Sequence, residues 1–301
     1  MAELAKTKGR RPDMKPRLQN RPPPGPAHVA SEPSGQVPME FQGASYAAPA
    51  AACAADVLRY LASTAASSVS TIAREVGASR SLVFRVIREL EQRELVTSTE
   101  PGRYWLGLGS LEIGGAYAAK SDYTQSTHSA LAQAAQATGA TVNVGVLRGH
   151  EVVYVMRHDS PDAPLIYTHQ GMRRPANCTG LGKALLAELT EKELKSRFQG
   201  GLPALTPKSI TSMTELVREL SAVRERGYAI ERGETVTGRC CLATKVEITQ
   251  AGAGLVALSL SVTEDGFEER MDELLAALFE LRSRLEREQR ARNALGMTSV
   301  Q

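Results

Sequence analysis

The 301-residue chain has no run of about eighteen apolar residues, so no membrane span is expected. Its N-terminus carries charges but no apolar core segment, which speaks against a secretory signal. Cysteine is scarce: Cys53, Cys178, Cys240 and Cys241 are the only four, and none forms a CxxC pair. A reduced, cytoplasmic setting is the expectation. Adjacent Cys240 and Cys241 point to opposite faces if that segment is extended. No Gly-rich phosphate loop, nucleophile elbow or zinc motif occurs, so no cofactor, no metal and no enzymatic activity are expected. A thiol pair of Cys178 or Cys241 with His150, His158 or His169 can be drawn, but no spacing supports it. The formal net charge is only +3, too little to imply a nucleic-acid partner by itself.

Basic character is instead local. Residues 1 to 22 hold seven Lys/Arg against Glu3 and Asp13 and run into Pro22-Pro23-Pro24-Gly25-Pro26. Up to about residue 48 the apolar content is too low to fold, so a disordered basic tail is expected there. It reads equally as a phosphate-attracting arm or as a plain tail.

Residues 70 to 107 carry the clearest pattern. Ser70-Thr71-Ile72-Ala73-Arg74-Glu75-Val76 predicts a short helix opening on a capping residue. Gly77-Ala78-Ser79 supplies a turn, and Ser79 caps a second helix running to about Gln92. Leu82, Val83, Val86, Ile87 and Leu90 form its buried stripe. The opposite side carries Ser81, Phe84, Arg85 and Arg88, with Arg80 nearby. Phenylalanine among arginines on a solvent face is unusual. It suits a major groove, where an aromatic ring meets a thymine methyl, Arg80 or Arg85 grips a guanine edge and Arg88 meets phosphate. A solvated basic helix of a small bundle is the bland alternative. Leu95 to Ser98 and Arg103 to Leu106 flank Glu100-Pro101-Gly102 and predict a hairpin, a wing whose Arg103 reaches phosphate or minor groove. A helix from Ala54 to Ser63, with Val57, Leu58 and Leu61 inward, completes a winged helix-turn-helix. The candidate DNA-contacting residues are Ser70, Ser79, Arg80, Ser81, Phe84, Arg85, Arg88 and Arg103.

Downstream, Leu108, Leu111, Ile113 and Tyr117 lie on a helical pattern, interrupted by Gly109, Gly114 and Gly115. From residue 124 the chain alternates helices and strands. An alanine-rich helix runs to about 138, and strands follow at Thr141 to Leu147, Val152 to Arg157 and Leu165 to Thr168. Thr179 caps a helix, and Thr190 with Glu193 and Ser212 with Glu215 predict capping boxes. Strands are expected at Tyr228 to Glu231, Cys241 to Ile248 and Leu255 to Val262, then a helix over about 268 to 288. In the last strand Val256, Leu258, Leu260 and Val262 share one face and should pack under helices. Ala257, Ser259 and Ser261 share the other, which fits a pocket floor or a solvent-facing surface.

These motifs resemble the IclR family of bacterial transcriptional regulators. Ser79-Arg80-Ser81-Leu82-Val83-Phe84-Arg85-Val86-Ile87 is similar to its recognition helix, and Arg103-Tyr104-Trp105-Leu106-Gly107 to its wing-to-linker junction. Thr179-Gly180-Leu181-Gly182-Lys183-Ala184-Leu185-Leu186-Ala187 resembles its effector-domain signature. Arg224-Glu225-Arg226-Gly227-Tyr228-Ala229, Glu234, Gly238 and Cys241-Leu242-Ala243 follow in the family order. The resemblance spans about residues 50 to 295. The chain departs at Leu82, where threonine is frequent, and at Gly233-Glu234, where two adjacent acids are usual.

The resemblance implies an α+β chain in four parts. These are the tail (1–48), a winged helix-turn-helix (49–107), a linker helix supporting dimerisation (108–123) and a GAF-like mixed α/β effector-binding domain (124–295). It implies a homodimer or dimer of dimers that binds a partly palindromic double-stranded operator. It also implies that Ile166, Arg174, Gly180, Leu181, Glu231, Arg239, Cys241, Ser259 and Ser261 surround a small effector. The chemistry of that set suits an organic acid. The Gly180 and Leu181 amides open a helix, the serines donate, and the two arginines can pair with a carboxylate. Glu231 would repel a carboxylate but accept a hydroxyl or amine. A redox-sensing regulator using Cys178, near Arg173 and Arg174, or Cys241 is the alternative. A non-specific architectural DNA binder would not need the second domain.

Overall fold

The computed structural model describes residues 48–120, 125–160, 169–248 and 254–295. The tail expected over 1–48 therefore lies outside them apart from Ala48, as does the expected strand Leu165 to Thr168.

The N-terminal part is built on three helices and a small sheet. Helix α1 (Pro49–Ala62) begins earlier than the apolar spacing predicts because Pro49 presets its first turn. Cys53, Val57 and Leu61, four residues apart, form its buried face. Strand β1 (Ser67–Ser68) and helix α2 (Val69–Glu75) follow. Ser68, not Ser70, is the N-cap of α2, and its hydroxyl accepts from the Thr71 amide at 3.2 Å. Ser67, Ser68 and Ser70, on either side of Val69, can each cap, and pairing of Ser68 with Arg103 decides among them. Gly77 (φ 67°) makes the turn, and Ser79 caps helix α3 (Arg80–Gln92) by accepting from the Leu82 amide. Val83, Val86, Ile87 and Leu90 are buried against Val57, Leu61 and Ile72, whereas Leu82 is only partly covered. Strands β2 (Val96–Glu100) and β3 (Arg103–Leu106) form the hairpin, and β1 adds a third antiparallel strand in the order β1-β3-β2.

Helix α4 (Leu108–Lys120) starts against the end of α3. A Cβ on Gly107 would come within 2.1 Å of the Glu94 carbonyl oxygen, so only glycine fits that junction. Leu108, Leu111, Ile113 and Tyr117 are each more than half exposed.

The C-terminal part is one six-stranded antiparallel sheet between helical layers. Its strands are β4 (Thr141–Arg148), β5 (Glu151–His158), β6 (Arg173–Pro175), β7 (Ala229–Arg232), β8 (Arg239–Val246) and β9 (Val256–Thr263). Their order is β6-β5-β4-β9-β8-β7. One face carries Val142, Val144, Cys240, Leu242, Val256, Leu258, Leu260 and Val262 and packs on α5 (Gln125–Thr138) and α9 (Met271–Ala294). Each fully buried Leu or Val there contributes roughly 1.5–3 kcal/mol. The other face meets α6 (Gly180–Leu186), α7 (Glu191–Arg197) and α8 (Met213–Arg226) through Leu181, Leu185, Leu194, Leu216 and Leu220. Thr190 and Glu193 form the reciprocal capping box. At α8 only half of the expected box is present, Ser212 accepting from the Glu215 amide. Cys240 and Cys241 do face opposite sides of the sheet. No helix among the described residues is long and apolar enough to cross a membrane.

Candidate functional site

On the N-terminal part, the outer side of α3 is free of protein cover. Phe84 is 50 % exposed. Ser70, Arg80, Ser81 and Phe84 line one open groove with Ser68, Val69, Gly102 and Tyr104, so α2, α3 and the wing contribute to a common surface. Arg85 and Arg88 are exposed on the same side of α3. Arg88 is tethered to Glu91 at 2.7 Å, and Arg103 donates to the Ala66 carbonyl. The Ser79 hydroxyl is engaged in capping. This is a convex basic helix beside a hairpin, with a large ring that no protein contact explains.

On the C-terminal part, the α6 side of the sheet encloses a cavity. Register places its floor: Asn143 of β4 lies opposite Ser259 of β9, and Ser261 lies opposite Cys241 of β8, which lies opposite Glu231 of β7. Thr179, Gly180 and Leu181 of α6, Thr235 and Val236 of the β7–β8 loop, Arg239 and Tyr154 complete the lining. Thus seven of the nine residues expected around an effector (Gly180, Leu181, Glu231, Arg239, Cys241, Ser259 and Ser261) surround one space. Arg174 is half-buried on β6 and does not line it, and Ile166 lies outside the described residues. The interior, as swept by the centre of a water molecule, is about 40 Å³.

Close backbone approach creates this space. A Cβ on Gly180 would meet Cys241 Sγ at 2.9 Å, and one on Gly182 would meet the Ala176 carbonyl oxygen at 2.1 Å. Glycine at both lets the first turn of α6 sit directly on the sheet, with Thr179 capping it at 2.9 Å. The amides of Gly180 and Leu181 have no acceptor within that helix.

The electrostatics are unusual. Arg239 is 9 % exposed. Its Nη2 donates to the Ser261 carbonyl at 3.3 Å, while Nε and Nη1 are buried without a partner. Burial pulls its pKa down. The Asn143 Oδ1 is likewise buried and unpartnered. Glu231 is buried, and its Oε1 accepts from the Glu234 and Thr235 amides at 2.5 and 2.9 Å, fastening the loop over the cavity. Burial, outweighing the Thr235 hydrogen bond, pushes the Glu231 pKa up to about 7. This raised value makes Glu231 stabilising only while it is protonated. Its contribution is complete below the unfolded value of 4.5 and is lost as pH rises through about 7. Glu231→Gln is expected to raise stability relative to wild type at pH 8 and not at pH 4.5, read as the difference between urea midpoints. Equal differences at both values would contradict a buried, proton-accepting Glu231.

Beneath the cavity, Lys183 is almost wholly buried. Its Nζ donates to Glu234 Oε1 and the Ile230 carbonyl, each at 2.5 Å. Asn143, Tyr154, Thr179, Thr235, Val236 and the Lys183–Glu234 pair were not among the candidate residues. Asn143 shares the β4 face with Gly145, a pattern that carried no signal until β4 was paired with β9. Lys183 stood in a recognised motif, but a lysine on a short helix ordinarily reads as exposed.

The model described as "Bacterial transcriptional regulator IclR C-terminal" matches residues 115–286, and that of the "IclR helix-turn-helix domain" matches residues 50–100. The HTH-type transcriptional repressor AllR of Escherichia coli (strain K12) is 32% identical over 219 residues, covering 70% of this chain and 80% of that protein. An IclR transcriptional regulator structure from Alicyclobacillus acidocaldarius is 30% identical with a TM-score of 0.68, covering 80% of this chain and 98% of that one. An IclR homologue from Microbacterium hydrocarbonoxydans, complexed with 4-hydroxybenzoate, is similar in fold, with 21% identity and a TM-score of 0.60 over 78% of this chain and 98% of that one. With both halves matched in order, the chain belongs to the IclR family of bacterial transcriptional regulators.

Proposed function

We propose that this regulator binds a partly palindromic DNA operator as a dimer, or a dimer of dimers, and responds to a small organic acid held in the C-terminal cavity. The observation that carries the acid is the buried Arg239 guanidinium, which lines a partly open cavity and keeps two nitrogens without a partner. An unpaired buried charge is costly, and a carboxylate is its natural complement. The exposed apolar residues Leu108, Leu111, Ile113 and Tyr117 on α4 support self-association through the linker helix. Two copies then present two α3 helices to successive major grooves. The repressor name of the Escherichia coli relative supports repression as the mode of action.

The deciding experiment is affinity for the chain's own upstream DNA against a scrambled duplex, at two salt concentrations, with and without a panel of organic acids that includes 4-hydroxybenzoate. Selective binding altered by an acid supports the reading. Weak binding that ignores sequence and collapses with salt removes it.

A redox-sensing role has less support. Cys178 and Cys241 are buried, burial raises both thiols, and Cys241 reaches about 12. A thiol so protonated is a poor nucleophile. Operator affinity is therefore expected to be unchanged after mild peroxide treatment, measured by fluorescence anisotropy. A loss reversed by thiol reductant would restore the alternative.

A further inference from the structure

Arg239 and Glu231 stand beside each other on the cavity wall. Glu231 of β7 lies opposite Cys241 of β8, and Arg239 comes two residues before Cys241 on the same face. The two are therefore diagonal neighbours on adjoining antiparallel strands, about 7–8 Å apart and within reach of long side chains. The turn between the strands fixes that relation. The Gly233 amide donates to the Arg239 carbonyl at 2.7 Å, and the Arg239 amide donates to the Val236 carbonyl at 3.2 Å.

A buried cation and a buried acid so placed would ordinarily close on each other. Here each is turned to backbone instead. Arg239 Nη2 donates to the Ser261 carbonyl, and Glu231 Oε1 accepts from the Glu234 and Thr235 amides. These commitments hold the two side chains apart, and Glu231 still acts on the Arg239 charge across the space that both line. The cavity thus has two poles of opposite sign. A simple carboxylate that satisfies Arg239 lies close to Glu231 and is repelled by it once Glu231 is ionised. A ligand with an ammonium group beside its carboxylate meets both poles with the matching charge. Asn143, on the same floor opposite Ser259, offers a carbonyl oxygen, and an ammonium has three hydrogens to donate.

We propose that the effector is a free α-amino acid, its carboxylate on Arg239 and its ammonium on Glu231. This deepens the acid-binding reading and rests on it. Arg239 alone takes any carboxylate, so Glu231 is the residue that sets specificity.

The pairing fixes the sign of the pH dependence. Burial keeps Tyr154 of β5, Cys178 ahead of α6, and Cys240 and Cys241 of β8 uncharged through neutral pH. Lys183 of α6 is bound to Glu234, and Lys208 to Glu264. Glu231, at about 7, is the group beside the ligand that changes charge near neutrality. An ammonium needs the carboxylate form, so amino-acid affinity should rise about tenfold from pH 6 to pH 8. Affinity for the same acid without its amine should fall over that range.

Titration calorimetry of the full chain tests this with two matched triplets. One is L-alanine, L-lactate and propionate; the other is L-phenylalanine, L-phenyllactate and 3-phenylpropionate. At pH 8 the amino acid of at least one triplet is expected to bind roughly tenfold or more tightly than its two partners, the worth of one charge-assisted contact. Glu231→Gln keeps an oxygen for the two loop amides and removes the charge. It should erase that preference and flatten the pH profile, while Glu231→Asp, which keeps the charge, should retain part of both. A urea midpoint at or above that of wild type at pH 8 verifies that the glutamine variant is folded. Hydroxy or unsubstituted acids that bind as tightly as the amino acids, or an amine preference that survives Glu231→Gln, overturn the inference and leave the acid-effector reading standing. So does binding of 4-hydroxybenzoate without any member of either triplet. If no acid, 4-hydroxybenzoate included, binds the chain or alters its DNA affinity, both fall.

Discussion

Lys183→Met is expected to lower stability by about 3–5 kcal/mol, the usual consequence of stripping one partner from a buried ion pair. Lys183 is 1 % exposed, and Glu234 Oε1 sits 2.5 Å from its Nζ, with Glu219 at 3.9 Å. Methionine matches the length and much of the volume of lysine, so packing is conserved while the cation is lost. The Glu234 carboxylate is then left at 7 % exposure, and its Oε2 already lacks a partner. The Ile230 carbonyl loses its donor as well. Because Glu234 opens the β7–β8 loop, whose Thr235 and Val236 line the cavity, ligand affinity should fall with stability. The double variant Lys183→Met/Glu234→Leu should recover most of the loss, since replacing both members of such a pair with apolar groups is often neutral. Chemical denaturation of the three proteins decides the matter. A single variant within about 1 kcal/mol of wild type would mean that water reaches this pair.

The double substitution Arg80→Ala/Arg85→Ala is expected to remove most of the discrimination between operator and scrambled DNA. Among the described arginines of the α3 outer face, Arg88 is held by Glu91, whereas Arg80 and Arg85 are exposed and carry no ion pair. Their guanidinium forks need not exchange a protein partner for a base. A bidentate guanine contact is worth about 1–3 kcal/mol, so the pair accounts for roughly 2–6 kcal/mol of specific affinity. Non-specific binding should persist, and the dependence of affinity on salt should keep its slope. If the slope falls by about two while selectivity survives, the two arginines contact phosphate rather than bases.

Much of this is legible in the sequence. Ser79, the spacing of Val83, Val86, Ile87 and Leu90, and Pro101-Gly102 sufficed for the DNA-reading half because each is a local signal: cap, stripe, turn. The alternation of β9 gave the two faces of the large sheet for the same reason. The rest depends on partners far along the chain. Strand β1 is two residues long and exists only because Ser67 and Ser68 pair with Tyr104 and Arg103. Asn143 and Tyr154 reach the cavity through strand register, which no single segment encodes. Lys183 is buried by a carboxylate 51 residues away. Ser70 satisfies the same local capping rule as Ser68, and only the tertiary pairing of Ser68 separates them.

The pairing of β4 with β5 slips by one residue, so that Val144 faces Met156 but Gly145 faces Tyr154, with Val155 extra. An ideal strand obeys parity: residues an odd number apart look in opposite directions. Tyr154 and Arg157 are three apart yet share a side, and only the supernumerary Val155 makes that possible. The strand thus has an even phase before the slip and an odd phase after it. Loss of the single codon for Val155 would restore simple alternation. It would leave Tyr154 and Arg157 two apart and still on the cavity side, opposite Gly145 and Asn143, and would remove only the bulge and the local bend it brings to β5.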